Sequence, residues 1–544
     1  MKPFVALIGF WFFSVMGFSQ DLVWVYFDEK PAFTDENIEQ AFSPQGIQRR
    51  LTQNIPFTQE DLRVKPKYLK GLKEIKGLEL KSTSKWFNAA LIEITSNDVL
   101  NLVSNLPFVV DFRKIPKANS NLKRQDNKLK LETSQSTFFD ATQYGGGQPQ
   151  LELYNLLPLH QEGFKGSDIR IGVFDAGFFG VESMACFDSL WNNNRILGTY
   201  DIVDGDDSLF EKHTHGTYVL SCISANLPNT LIGAAPDASV YLFRTEDGSS
   251  ETLAEEFYWV KAAEMADSLG IHIINSSLGY TVFDDSTQNH TYADMDGNTT
   301  PITIGADKAA SKGILVVSSA GNSGLGGWKY ISAPADGDSV LTVGAVNDQG
   351  ASAGFSSYGP SYDGRVKPNV CAVGEGSAVY SFNDDVIYLN GTSFSSPLLA
   401  GAAAALWSKY PTASNMEILK SIEESGDRYL NPDDRCGYGI PNFQKASQTL
   451  SVKYPVVKKG ELIIYPNPVN SYLSVQFRAN DAQVGTLTLV DFLGRVVWEN
   501  EHSILKGLNT LNLTLPAIRN GVYFLQLNLE NGNLLQKKLV VTKN

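Results

Sequence analysis

Cysteine and histidine are scarce in this 544-residue sequence, which has four of the first and six of the second. The cysteines include no close CxxC pair, so a zinc site is not expected. In an oxidising compartment they can form two disulfides, with three possible connectivities among Cys186, Cys222, Cys371 and Cys436. Cys222 falls in a predicted buried helix, where a packed thiol is the alternative.

Positive charge is the second deficit. Lys and Arg number 45 against 59 Asp and Glu, which gives a formal net charge of -14. A protein that binds nucleic acid needs clustered basic residues to contact phosphates, so that class of function is excluded. Hydrophobic residues make up 43% and charged residues 19%. This balance excludes wholesale disorder, and the length predicts about two to four folded domains.

Long apolar runs are missing after the first 20 residues. Lys2 precedes an apolar run from Phe4 to Phe18, and the small residues Gly17 and Ser19 flank a plausible cleavage site before Gln20. The pattern predicts a signal peptide over residues 1–19, because the run is short for a membrane span. An uncleaved anchor is the alternative. We therefore expect an exported protein.

Three regions of the chain differ in pattern. Residues 20–135 mix strand-like runs with a Lys-rich middle, which predicts an α+β domain, and the polar residues 136–150 predict an exposed linker open to proteolysis. Residues 151–450 alternate buried strands with amphipathic helices, as in an α/β fold whose parallel sheet is covered on both faces. Residues 455–544 carry short alternating strands between turn residues, typical of a small β-sandwich.

Three segments of the α/β region carry residues suited to catalysis. Asp175 ends a buried strand, where such folds place their sites, although a strand-end Asp is more often a turn or a cap. His215 begins an apolar helix that would hold the ring and leave one nitrogen free; a surface histidine is the alternative. Ser393 lies in the first turn of an Ala-rich helix, whose N-terminus favours developing negative charge.

Together these segments resemble the subtilisin-like serine proteases. Asp175, His215 and Ser393 follow the family's chain order. Their surroundings, Phe-Asp-Ala-Gly, His-Gly-Thr and Gly-Thr-Ser-Phe-Ser-Ser-Pro, match its three motifs, and the resemblance covers residues 150 to 450. It implies an endopeptidase that cleaves proteins or peptides through an acyl-enzyme on Ser393 and requires no cofactor. His215 would act as the base, and Asp175 would orient it.

Further segments of the same region resemble the family's substrate-binding parts. Asn322, in Ser-Ala-Gly-Asn, would donate its side-chain amide to the oxyanion. Ser277, Leu278 and Gly279 resemble the strand that borders the first specificity pocket. Ser332 would lie at the floor of that pocket and favour a modest P1 side chain.

The insertion over residues 280–304 contains Asp294-Met-Asp296-Gly-Asn298. This acidic turn could bind calcium, but calcium needs six or more oxygens, so the pattern favours a solvated turn. Residues 225–232 are shorter than the calcium loop of the family. Tyr218 stands where the family has a second histidine outside the triad, so we expect activity to survive this difference.

The two flanking regions also resemble known types. Residues 20–135 occupy the place of a subtilase propeptide, which implies an intramolecular inhibitor cut away near the linker; a permanent accessory domain is the alternative. Tyr465-Pro-Asn-Pro468 and Asp491-Phe-Leu-Gly494 resemble the sorting domain of type IX secretion cargo in Bacteroidetes. That resemblance implies the secretion machinery as a partner and an extracellular or outer-surface location. A carbohydrate-binding sandwich is the alternative.

Two rival functions share parts of this pattern. A catalytically silent subtilase fold could serve as a binding or scaffold protein, but the intact Asp175, His215, Asn322 and Ser393 argue against it. A lipase-like hydrolase would need a Gly-x-Ser-x-Gly elbow around its nucleophile and the chain order Ser, Asp, His. No such elbow surrounds Ser393, and the order here is Asp, His, Ser.

Overall fold

The computed structural model describes residues 21–115, 131–133, 143–206, 208–454, 457, 460–516, 518–530 and 532–542. The predicted signal peptide and residues 136–142 of the predicted linker lie outside the described residues. None of the helices within the described ranges is long and apolar enough to span a membrane.

The first domain is an antiparallel sheet of four strands in the order β2-β3-β1-β4, packed against short helices. Its elements are β1 (Asp21–Phe27), α1 (Asp35–Ala41), α2 (Pro44–Thr52), α3 (Pro66–Lys73), β2 (Leu78–Ser84), β3 (Ala89–Ile94), α4 (Asn97–Ser104) and β4 (Val109–Ile115), followed by a two-residue strand β5 (Glu132–Thr133). Val23 and Val25 of β1 point into the domain's own core. Trp24 points to the opposite face, because successive side chains of a strand alternate.

The central domain is built on seven parallel strands in the order β14-β13-β12-β11-β6-β10-β7. Its elements are α5 (Gln148–Glu152), α6 (Leu157–Gln161), β6 (Arg170–Asp175), α7 (Asp188–Asn192), β7 (Ile196–Asp201), α8 (His215–Ser224), β8 (Asn226–Leu227), β9 (Leu231–Ile232), β10 (Ser239–Arg244), α9 (Ala254–Leu269), β11 (Ile273–Ser276), α10 (Pro301–Ser311), β12 (Leu315–Ser319), β13 (Val340–Val346), β14 (Val370–Val373), β15 (Ser377–Tyr380), β16 (Val386–Asn390), α11 (Thr392–Lys409), α12 (Asn415–Ser425) and α13 (Phe443–Ser451). The structure confirms the predicted parallel sheet and the predicted α/β class of this domain.

Helices cover both faces of this sheet. α8 and α11 share one buried core with its first face, and α9 and α10 share another with the second. The chain runs outward from β6 to one edge of the sheet and then returns to its other side at β11. The carboxyl ends of β6 and β11 therefore meet at a topological switch point, where open parallel sheets form their sites.

The C-terminal domain packs a three-stranded antiparallel sheet against a four-stranded one, the small β-sandwich that the sequence predicts. Its strands are β17 (Ile463–Tyr465), β18 (Tyr472–Ala479), β19 (Gln483–Asp491), β20 (Val496–Ile504), β21 (Gly507–Thr514), β22 (Gly521–Leu529) and β23 (Leu534–Val541). Arg478 connects this domain to the central one through an ion pair with Asp168.

The glycine-rich end of the predicted linker is not exposed, so that expectation was wrong. Gly145 and Gly147 are buried against residues 230–232, and a Cβ added to Gly145 would lie 2.1 Å from the carbonyl oxygen of Thr230. These glycines permit a close approach of two backbones rather than a flexible hinge.

All four cysteines are buried thiols in this structure, which therefore differs from the expectation of two disulfides. Cys222 lies within α8 as the packed thiol that was the alternative for it.

Candidate active site

Two side chains meet at the carboxyl end of the central sheet. Asp175 is the last residue of β6, and His215 is the first residue of α8. Nδ1 of His215 donates a hydrogen bond to Oδ1 of Asp175 at 2.8 Å and lies 3.0 Å from Oδ2. Both side chains are buried, and the N–H of Ala176 donates to the same Oδ1 at 2.8 Å. The carboxylate fixes the ring and leaves Nε2 as its accepting nitrogen.

Burial and charge act in opposite directions on His215. Burial disfavours the imidazolium ion and alone would lower the pKa of the ring. The charge and hydrogen bond of Asp175 favour the cation more strongly, and Glu246 adds to them, so the pKa of His215 is raised above its ordinary value of 6.5. The site therefore stabilises the protonated ring that a general base becomes when it takes a proton.

Ser393 is the second residue of α11, at the same end of the sheet. Its Oγ donates to the backbone oxygen of Ser277 at 3.2 Å. The ring of the next residue, Phe394, has its centroid 6.1 Å from that of His215. The fold thus brings the Ser393 segment next to His215.

Pro397 explains a second bond between Ser393 and Ser277. In a regular helix the carbonyl of residue 393 would accept from the N–H of residue 397, but proline has no N–H. The hydroxyl of Ser277 supplies the missing donor at 2.8 Å. Ser396 Oγ also donates to Asn275 Oδ1 at 2.8 Å, so three hydrogen bonds connect the start of α11 to the end of β11.

Asn322 follows β12 and faces the start of α11. Its Oδ1 accepts from both the backbone N–H and the hydroxyl of Thr392, each at 2.9 Å. Nδ2 is thereby left as a donor beside Gly391, where an added Cβ would lie 3.7 Å from it. Sequence reasoning missed Thr392, whose only signal is its place directly before Ser393.

The residues expected around a specificity pocket lie together. Ser277 and Leu278 are buried at the end of β11, and a Cβ added to Gly279 would lie 2.2 Å from Ser332 Oγ. A Cβ at Gly321 would lie 3.1 Å from the same atom. Ser332 is itself buried, and within the described part of the chain its hydroxyl has no hydrogen-bond partner. A buried hydroxyl of this kind costs free energy until another group pairs with it.

The carboxylates of the acidic turn considered for calcium accept hydrogen bonds from residues of the same turn. Asp294 accepts from the N–H and hydroxyl of Thr291 at 2.6 and 2.8 Å. Asp296 accepts from the N–H of Asn298 at 2.8 Å and from the hydroxyl of Thr299 at 2.9 Å. Across the ranges that the structure describes, no group of three or more His, Cys, Asp or Glu is placed to hold a metal ion.

The sheet of the first domain covers helix α9. Trp24 stacks on Phe257 with ring centroids 4.1 Å apart. Nearer the C-terminal end of α9, Glu264 accepts hydrogen bonds from the backbone N–H groups of Lys85 at 2.9 Å and Trp86 at 3.0 Å. An apolar stack and a carboxylate thus hold the two domains together.

One buried carboxylate of α9 binds three cations of the first domain. Asp267 accepts from Arg49 at 2.6 Å, from Arg50 at 3.0 and 2.9 Å, and from Lys85 at 3.3 Å. Burial alone would raise the pKa of Asp267, but Lys85, Arg50 and Arg49 outweigh it and hold the pKa well below its ordinary range. Sequence reasoning missed this cluster, because Asp267 stands 182 to 218 residues from these partners in the chain.

Comparison with family models assigns each of the three domains. The model of the subtilase family matches residues 166–439. The chain belongs to the subtilase family. A model of the Bacteroidota peptidase S8 propeptide domain matches residues 22–132, and one of the secretion system C-terminal sorting domain matches residues 463–542. All three resemblances inferred from the sequence are thereby confirmed.

Relatives of this subtilase include bacterial subtilisins and an alkaline protease. Subtilisin DY of Bacillus licheniformis is 31% identical over 292 residues, which are 53% of this chain and 93% of that protein. Subtilisin E of Bacillus subtilis is 31% identical over 53% of this chain and 68% of its own length. The thermostable alkaline protease of Halalkalibacterium halodurans is 28% identical over 64% of this chain and 86% of its own.

These matches confirm the predicted class of function. The protein is a subtilisin-like serine endopeptidase with a propeptide, and its sorting domain directs it to the outside of the cell or its outer surface.

Proposed function

We propose that this subtilase cleaves peptide bonds through an acyl-enzyme on Ser393, with His215 as general base and then general acid. Nε2 of His215 takes the hydroxyl proton as Oγ attacks the substrate carbonyl, and it returns that proton to the leaving amine. Asp175 holds the tautomer and stabilises the imidazolium. The observation that carries this proposal is the buried hydrogen bond of 2.8 Å between His215 and Asp175, beside the start of α11. Water then hydrolyses the ester by the same proton transfers, so the chain's own side chains suffice for each step.

The proposed assignment is tested by the chemistry of the nucleophile itself. A fluorophosphonate reacts with an activated serine hydroxyl, and peptide mapping of the labelled mature protein should place the phosphonyl group on Ser393. A label found on any other serine would contradict the proposal.

The oxyanion in this proposal is bound by Nδ2 of Asn322 and the backbone N–H of Ser393. Thr392 acts as a positioning residue, because its two hydrogen bonds to Oδ1 of Asn322 turn the amide nitrogen toward Gly391. The N-terminus of α11 adds partial positive charge at the same place.

Asn322→Leu is expected to lower kcat by about 10²- to 10³-fold, the effect of losing one oxyanion donor. KM for a peptide anilide should stay within a few-fold, because the donor acts chiefly on the transition state. Steady-state kinetics measures both. Thr392→Val is the matched test of positioning. This variant should have a partly reduced kcat, although the donating side chain of Asn322 is unchanged. An unchanged kcat in Asn322→Leu would remove Asn322 from the mechanism.

In a plot of kcat/KM against pH, the midpoint of the acid limb should lie above pH 6.5. Catalysis needs the neutral ring of His215, and the pKa of that ring is raised from its ordinary value of 6.5. Below the limb, kcat/KM should fall tenfold per pH unit as the ring becomes protonated. Glu246→Gln removes one charge that favours the cation, so its limb should move toward lower pH. A profile of kcat/KM against pH measures both. A wild-type limb below pH 6.5 would contradict this account.

We infer that the first specificity pocket is bounded by Ser277, Leu278 and Gly279 and floored by Ser332. The Ser332 hydroxyl fills space next to Gly279 and Gly321 and is unsatisfied among the described residues. It therefore narrows the pocket and favours a modest P1 side chain, above all one that can pair with the hydroxyl.

Ser332→Gly should shift P1 preference toward large apolar residues. Removing a hydroxymethyl group enlarges the pocket, and such a change alters discrimination by about 10- to 200-fold. A peptide library that varies P1 measures the ratio of kcat/KM for Phe over Ala in both proteins. Ser323→Gly, a serine change outside the pocket floor, is the control. A wild-type enzyme that already prefers aromatic P1 residues would contradict the inference.

The flanking regions have separate proposed roles. We propose that residues 20–135 inhibit the enzyme until they are cut away, with cleavage before residue 143, because Gly145 and Gly147 are packed into the central domain. Residues 151–450 would then form the catalytic domain, and residues 455–544 would bind the secretion machinery. N-terminal sequencing of the mature enzyme locates the cut.

A further inference from the structure

A loop that follows α12 lies along the edge strand β14. The N–H of Tyr438 donates to the carbonyl of Asn369 at 2.8 Å, and the N–H of Cys371 donates to the carbonyl of Gly439 at 3.0 Å. A Cβ added to Gly437 would lie 1.9 Å from the carbonyl oxygen of Pro368, so the two backbones are in direct contact. This pairing brings a cysteine of the loop to a cysteine of the strand.

Cys371 and Cys436 share a small buried cluster with Val346, and neither is exposed. The two thiols lie close enough to act on each other: burial and Cys436 raise the pKa of Cys371, and Cys371 lowers the pKa of Cys436. Ser352 Oγ lies 3.0 Å from Cys436 Sγ, and Cys371 Sγ lies 3.6 Å from the carbonyl oxygen of Arg435, the residue before Cys436. The two side chains are therefore neighbours within one buried cluster.

The other two cysteines are placed differently. Cys186 and Cys222 belong to the large core between the central sheet and α8, not to the cluster under the loop. Burial raises the pKa of both these thiols, and among the four cysteines, all of them described residues, only Cys371 and Cys436 act on each other's pKa.

We propose that Cys371 and Cys436 form a single disulfide in the exported protein, and that Cys186 and Cys222 stay reduced. A disulfide needs two cysteines with neighbouring side chains on adjacent backbone segments, as found here. The oxidising setting follows from export, since disulfides form and persist outside the cytoplasm.

The oxidant is by chemical class a protein disulfide, as on a periplasmic dithiol–disulfide oxidoreductase. The thiolate of Cys436 attacks one sulfur of that disulfide, which forms a mixed disulfide and releases the first oxidant thiolate. The thiolate of Cys371 then attacks the Cys436 sulfur and releases the second. The two protein thiols lose two protons and two electrons, and the oxidant gains both as two thiols.

The burial of Cys371 and Cys436 determines at which stage of folding they can be oxidised. Because neither cysteine is exposed in the folded protein, the oxidant must reach them before the loop docks on β14. The bridge then closes a ring from residue 371 to residue 436 that contains Ser393 and α11. Cross-linking this ring restricts the unfolded chain and keeps the helix of the nucleophile attached to the sheet edge.

Counting free thiols in the secreted full chain tests the proposal. The Ser393→Ala chain is used, so that the count is independent of catalysis and of self-digestion. It is unfolded with an alkylating reagent and no reductant, and its mass is measured. Two alkylated cysteines, Cys186 and Cys222, are expected, with four after reduction, and a peptide map should contain the 371–436 link.

Matched variants check which thiols are paired. Cys371→Ala should give three alkylated cysteines, because Cys436 loses its partner, whereas Cys222→Ala should give one. Four alkylated cysteines in the unreduced chain, or a link that involves Cys186 or Cys222, would overturn the proposal. If Cys371→Ala fails to fold, the number of alkylated cysteines in the chain with all four cysteines still tests whether one disulfide is present.

Discussion

Ser393→Ala is expected to lower the kcat for peptide hydrolysis by about 10⁶-fold, the loss seen when a triad nucleophile is removed. Alanine has no hydroxyl to attack the carbonyl, so Asn322 and the substrate-binding strand would support only a water reaction. Covalent labelling by a fluorophosphonate should vanish at the same time. Casein cleavage and labelling measure the two losses independently.

Ser395→Ala is the matched control for this variant. Ser395 lies two residues farther along α11 and is also buried, and its Oγ donates to the carbonyl of Thr392 at 2.9 Å. Its loss should leave both labelling and kcat near wild type. Labelling that persists in Ser393→Ala would refute the nucleophile assignment. Loss of activity in both variants would show that α11 does not tolerate substitution.

The sequence points to the proposed triad because its members lie in short, local motifs. Asp175 ends an apolar strand, and His215 and Ser393 each lie at the start of an apolar helix. The local sequence therefore predicts the position of each side chain at the end of an element. The neighbouring carboxyl ends of β6 and β11 bring them together in space, because His215 bonds to Asp175 at the end of β6 and Ser277 bonds to Ser393 at the end of β11.

The supporting bonds could not be predicted in the same way. Pro397 shows in the sequence that the carbonyl of Ser393 lacks a helical donor, but nothing local identifies Ser277, 116 residues away, as the substitute. The glycines at 145 and 147 look like a flexible linker, since the composition that permits a hinge also permits two backbones to touch. Only the tertiary structure distinguishes these cases.

The interface between the first domain and α9 combines apolar burial with a concentration of charge. Asp267 is surrounded by Arg49, Arg50 and Lys85, and Arg50 also pairs with Asp61 at 2.8 Å. Replacing a whole buried ion cluster with apolar groups can be nearly neutral, but removing one partner leaves buried charges without compensation. Asp267 is thus the residue whose loss should weaken docking of the first domain most.

The pH dependence of this cluster has a defined sign. Because the pKa of Asp267 is lowered in the docked state, its contribution is complete above its ordinary pKa of 3.8 and is lost as the pH falls through the lowered value. Mild acid therefore does not release the first domain through Asp267. Release by proteolysis of residues 20–135 fits this arrangement better than release by a change in pH.

Asp267→Ala should weaken docking of the first domain by about 3–5 kcal/mol, because Arg49, Arg50 and Lys85 lose their shared carboxylate. That free energy corresponds to about a 10²- to 10⁴-fold larger undocked population. In the Ser393→Ala chain, which cannot digest itself, trypsin should cut the first domain faster by up to that factor. The rate of loss of residues 21–115 from the intact chain measures it.

Asp338→Ala is the control, because Asp338 is more than half exposed and its ion pair with Arg365 at 2.8 Å lies outside this interface. Such exposed pairs contribute little, about 0–1 kcal/mol, so the trypsin rate should stay near that of the parent chain. Equal rates in Asp267→Ala and the parent would mean that apolar contacts such as Trp24 on Phe257 hold the first domain alone. A faster rate confined to Asp267→Ala would assign the docking strength to the buried charges, and proteolysis of the segment that carries Arg49, Arg50 and Lys85 would then be expected to release the first domain.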